Sequence, residues 1–148
     1  MTPNRWLLAV GILLVALPLA ACGQQAGDQV EEPAAVVEEI PGSELMRITL
    51  TARAAERLGI ETASVEQVVL AGGTSLAVPY AAVLYDSDGT TWAYVSHEEL
   101  VFVRERLVID HVAGDLAILT EGPAPGTLVV TIGAAELYGA ETGLGGGH

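Results

Sequence analysis

The chain has no lysine. Its six basic residues are all arginines, set against 19 acidic residues, and the net charge is −13. A surface of that sign repels phosphate backbones and anionic lipid heads, which argues against a nucleic-acid partner. Cysteine is almost missing. Cys22 stands alone, so the chain can form no internal disulfide. Histidine is scarce too. His97, His111 and His148 show no metal-ligand spacing among themselves, and Met46 is the only thioether besides Met1. The glycine cluster at 71–75 lacks the lysine of a phosphate loop. No serine sits in a nucleophile elbow. Asp86-Ser87-Asp88-Gly89 begins like a calcium loop, but the later ligands do not follow. It reads instead as a hairpin turn. Glu31-Glu32 and Glu98-Glu99 read as solvated charge. The expectation is a protein with no cofactor, no metal and no catalytic residues, hence not an enzyme.

A long apolar run is lacking as well. The stretch Trp6–Ala21 is interrupted by Gly11 and Pro18 and is shorter than the roughly 20 residues of a spanning helix. Arg5, then the apolar stretch, then small residues is the order of a secretory signal. Its end, Leu19-Ala20-Ala21-Cys22, resembles a bacterial lipobox. That resemblance implies removal of residues 1–21 and lipidation of Cys22, whose thiol accepts the diacylglycerol. Two or more acyl chains give a stable anchor where one does not. The implied location is the cell envelope, with the protein lipid-anchored to the outer face of the cytoplasmic membrane or to the outer membrane. Residue 23 is glycine, not the aspartate that commonly retains lipoproteins in the inner membrane. All the acidic residues follow Cys22, so loss of Arg5 leaves a mature chain one unit more negative.

Residues 22–46 are acidic, contain Pro33 and Pro41, and have no basic residue. They read as a solvated, flexible tether. From Arg47 the pattern changes. Met46–Leu50 reads as a strand. Thr51 can cap a helix over Ala52–Leu58, with Gly59 just past its end. Further strands are expected at Ile60–Leu70, Leu76–Tyr85, Thr90–Ser96, Val101–Asp110, Leu116–Thr120 and Thr127–Gly133. Ala71–Ser75 reads as a loop, and Pro79 belongs on an edge or at a bulge. Trp92 and Tyr94 share one face of their strand, Ala93 and Val95 the other. Glu105 falls on the apolar face of Val101–Asp110, which predicts a bulge near Arg104–Arg106. Ala134–Tyr138 reads as a helical turn, and residues 142–148 as a glycine-rich tail. The fold class is mainly β: a small antiparallel β-roll or barrel of about six strands with one short helix, spanning residues 47–141.

Two stretches carry a resemblance. Ile48-Thr49-Leu50-Thr51, the helix, then Gly59-Ile60-Glu61-Thr62 is similar to the opening of the membrane-proximal domain in periplasmic adaptor subunits of RND-type efflux pumps, the membrane fusion protein family. Val78-Pro79, Ala82-Val83, the turn at Gly89 and Trp92-Ala93-Tyr94-Val95 resemble the stretch where such adaptors return to that domain. Phe102-Val103-Arg104, Gly114-Asp115, Glu121-Gly122, Gly126 and Val129-Val130 continue the pattern. Residues 133–141, GAAELYGAE, look like its close. In a full adaptor the lipoyl-like halves, a helical hairpin and a β-barrel domain lie between the two stretches. Here only about Ala71–Ala77 separates them.

The resemblance implies a truncated, adaptor-like accessory or binding module in transmembrane transport. Its partner would be an inner-membrane transporter or a full-length adaptor, and its membrane link the lipid on Cys22. Arg104 and Arg106, two cations on one strand face of an acidic domain, are the expected partner contact. The alternative is a surface lipoprotein that binds a small ligand or ion, unrelated to a pump.

Overall fold

The computed structural model describes residues 33–143. The expected signal peptide, Cys22, the first part of the expected tether up to residue 32 and the end of the tail lie outside the described residues. The fold is mainly β, as expected.

The first strand, β1 (Ala35–Glu39), runs antiparallel to β2 (Met46–Leu50). This corrects the tether. Ala35 and Val37 turn toward the core, while Val36, Glu38 and Glu39 face solvent. Glu38 sits opposite Arg47. A strand with one buried face tolerates acids on the other. The folded part therefore begins well before Arg47.

The helix α1 (Ala52–Leu58) forms as its ends predict. Thr51 Oγ1 accepts a hydrogen bond from Ala54 N–H at 3.1 Å, and Gly59 ends the helix at φ +64°. The expected strand Ile60–Leu70 is two strands, β3 (Glu61–Ser64) and β4 (Glu66–Leu70). Val65 lies between them, buried. Its N–H donates to Thr127 C=O and its C=O accepts from Gly126 N–H, at 2.8 and 2.9 Å. The expected loop 71–75 is a tight hairpin, because Gly73–Ser75 already belong to β5 (Gly73–Pro79). Pro79 ends that strand, beyond the last residue that β4 pairs, so its missing N–H costs no ladder bond. A 3-10 turn, Tyr80–Ala82, leads to β6 (Leu84–Tyr85).

The strand β7 (Thr91–Glu98) is followed by the long β8 (Val101–Ala113), β9 (Leu116–Glu121), β10 (Leu128–Ile132) and α2 (Ala134–Glu141). The curled sheet has the order β3-β10-β7-β8-β9-β5-β4, with β2 on β8 and β6 on β7. Because β3 and β4 join through Val65, the path begins and ends on one run of chain.

That curl makes two cores. Val65, Val78, Val95, Leu107, Leu119 and Val129, one from each run around the path, fill the inside. The opposite faces of β7, β8 and β10 present Tyr94, Phe102 and Val130 to an outer layer made by β2, α1 and α2. Strands buried on both faces explain why Ala93 and Val95 point one way and Tyr94 the other, all fully buried.

The bulge near Arg104–Arg106 does not occur. The ladder between β7 and β8 is regular there, and it shifts at Val95/Glu98 instead, with further shifts between β8 and β9 around Ile109. Glu105 stays in the strand because it reaches His97, Oε1 to Nε2 at 2.9 Å, near solvent.

Candidate functional site

Three places on the fold hold side chains that could meet a partner. The first is where β8 passes the end of α2. The helix is longer than the turn expected over Ala134–Tyr138 and carries Glu141 in its last position. Gly133 begins it at φ +90°, with Ile60 packed against its Cα. Glu141 meets the outer face of β7 and β8. Arg104 Nε lies 2.9 Å from Glu141 Oε1 and 2.8 Å from Oε2. The Tyr94 hydroxyl donates to Glu141 Oε2. The guanidinium also lies over Trp92, 4.8 Å from the ring centre, and 5.5 Å from that of Tyr138. Trp92 Nε1 in turn donates to Asp86 Oδ2 at 2.9 Å.

The electrostatics follow from this chain of contacts. Burial pushes the Tyr94 hydroxyl far above the ordinary phenol range, and the hydrogen bond to Glu141 adds to it. The indole N–H of Trp92 holds the Asp86 carboxyl below the usual range, helped by the backbone N–H groups of Thr90 and Asp88. Asp86 thereby fixes the hairpin turn, in which Gly89 has φ +79°. The cluster is a built, satisfied network that fastens α2 and the turn to the sheet.

Arg104 is therefore not the open partner contact the sequence suggested. Its side chain is 15% exposed, with Nε held by Glu141 and the guanidinium laid over Trp92. Arg106 is exposed, and lines a cleft of about 400 Å³ with Asp88, Gly89 and Thr91. The two arginines share a strand face, but α2 covers one and not the other. Nothing local in the sequence announced this. The Arg104–Glu141 pair depends on where a helix 37 residues later comes to rest.

The second place is an apolar groove of about 450 Å³ between α1, α2 and the start of β1. Leu50 and Leu137 lie along it, and Arg57 and Glu136 are the only charged lining residues among the described residues. Sequence reasoning missed it, since its walls come from both ends of the domain. The third place is the end of β7 and the turn after it, with His97, Glu98 and Glu99. Among the described residues, no three His, Cys, Asp or Glu side chains gather as metal ligands, and no helix is long and apolar enough to cross a membrane.

No family model matches this chain, and no curated protein or solved structure matches it.

Proposed function

We propose that this protein is a membrane-anchored accessory module of transmembrane transport, held by lipid on Cys22, that binds a protein partner instead of catalysing a reaction. The partner is an inner-membrane transporter or a full-length efflux adaptor. The observation that best supports this is spatial. The segments that resemble the opening and the close of an adaptor's membrane-proximal domain, Ile48–Thr62 and Gly133–Glu141, are far apart in sequence. They pack side by side in the outer layer, with α2 against β2 and Ile60 against Gly133. In the cluster above, Arg104, Glu141 and Tyr94 satisfy one another, which suits a binding scaffold. Confinement to a membrane raises effective concentration, so a weak contact is occupied.

The test is cross-linking of the full chain in its native membrane. A membrane transport protein or another adaptor should be recovered, and Cys22→Ser should abolish both the acyl mass and the capture. Wild-type protein without acyl mass on Cys22 would sink the anchor. Capture containing no transport protein would sink the role.

The groove favours a second reading, a lipoprotein that binds a small apolar ligand. Its volume falls in the range of roughly 300–1,000 Å³ seen for small-molecule sites.

A further inference from the structure

The groove between α1 and α2 has a specific chemistry. Leu50 and Leu137, both buried, form its apolar floor, and Ala35, Ala54 and Ala140 line its walls. Side chains that end at Cβ bound the space close to the backbone. They offer a slim apolar body close contact and give a polar one no hydrogen bond. The two charged lining residues have opposite signs. Arg57 is in the last turn of α1 and Glu136 in the first turn of α2. They do not pair with each other, and neither makes an ion pair among the described residues.

Chain length adds position. Ala34 lines the groove. From Cys22 to Ala34 an extended chain reaches at most about 40 Å. A groove at that distance from an anchored cysteine is within reach of the bilayer.

We propose that this groove binds one acyl chain of a zwitterionic, phosphoethanolamine-type membrane lipid. The chain lies along Leu50 and Leu137, the phosphate faces Arg57 and the ammonium faces Glu136. A head with both charges matches both side chains. A purely anionic head meets Glu136 as a repulsion, and an alcohol uses neither charge. Each methylene buried tightens binding about four-fold. The inference rests on the proposed membrane attachment only for the source of the lipid.

The experiment uses the full chain in phosphatidylglycerol vesicles doped with one of three photoreactive single-chain probes: a phosphoethanolamine, a phosphoglycerol or a fatty alcohol. Labelled residues are mapped by mass spectrometry. The phosphoethanolamine probe should label residues 50–58 and 134–141 about ten-fold more than the other two. Ala140→Phe, which fills the groove, should remove that labelling at an unchanged melting temperature. If it lowers the melting temperature, Ala35→Leu serves with the same expectation. Arg57→Gln with Glu136→Gln should reduce labelling to the level of the alcohol. Equal labelling by all three probes would overturn the head assignment. Labelling that survives the filled groove, or falls elsewhere, would overturn the site. Acyl mass at Cys22, measured on the same sample, separates the two proposals. A chain without it whose groove is still labelled keeps this inference and loses the anchor, and an acylated chain with an unlabelled groove does the reverse.

Discussion

Arg104 of β8 and Glu141 at the end of α2 meet at 2.8 Å, with side chains only 15% and 3% exposed. The guanidinium rests on Trp92, and the Tyr94 hydroxyl shares the carboxylate. Removing one member leaves the other charged, buried and unpaired. Glu141→Ala should therefore cost about 3 kcal/mol, read from urea unfolding, whereas Arg104→Met combined with Glu141→Leu should cost clearly less. Equal losses in the single and double variants would mean that the two charges are not coupled.

Tyr94 sets an alkaline limit. Its folded-state ionisation is pushed above the unfolded value, so its contribution is fully present below that value and fades as pH rises past it. The wild-type melting temperature should fall above about pH 10, the range in which an unfolded tyrosine ionises. Tyr94→Phe should lose about 1 kcal/mol at neutral pH through the missing hydrogen bond, yet show a shallower alkaline decline. Parallel pH curves for the two proteins would remove Tyr94 from this role.

Two glycines should respond differently to the same change. Gly89 has φ +79° and open space around it, so Gly89→Ala should cost about 1 kcal/mol from backbone strain alone. Gly133 has φ +90° and Ile60 against it. Gly133→Ala should cost more than Gly89→Ala, and adding Ile60→Val should recover part of the loss. Thermal unfolding of the three variants decides it. Similar melting temperatures for the two alanine variants would place the Ile60 contact elsewhere.

Arg106 is the arginine of β8 left open to a partner. Arg106→Glu should weaken capture in the membrane cross-linking experiment while leaving the melting temperature unchanged, as an exposed strand position allows. Arg104→Glu, which sets an acid against Glu141, should instead destabilise the domain. Capture unaffected by Arg106→Glu moves the contact off this face.

The local punctuation of this fold was legible in the sequence. Thr51 and Gly59 bracket α1, the Asp86–Gly89 turn joins two strands, and Trp92 to Val95 alternate between faces, because each depends only on neighbouring residues. Failures came where distant partners decide. The acids of β1 looked like a solvated tether, but β2 needs only Ala35 and Val37 from it. Glu105 seemed to demand a bulge, but His97 across the hairpin gives it a partner. Val65 divides one expected strand because Gly126 and Thr127 claim its backbone. At the site the limit was the same. Arg104 was picked out as a charge, and only the resting place of α2 shows that the charge is already answered. The groove, shared by Ala34 and Ala140, has no signature within any single window of sequence.

The pairing of β3 with β10 sets an order of events. Glu61 lies opposite Ile132, and Thr131 Oγ1 donates to Glu61 C=O across 70 residues. The hairpins β4–β5, β7–β8 and β8–β9 can each form from nearby chain, whereas β3 must wait for the last strand to arrive. A chain delivered from its N-terminus first thus carries β3 unpaired until Leu128–Ile132 follow. During that interval the inner core stays open on the side that Val129 will fill. Exposure of this domain to aggregation is then set by how quickly its final strand follows the rest, more than by the strength of any hairpin made earlier.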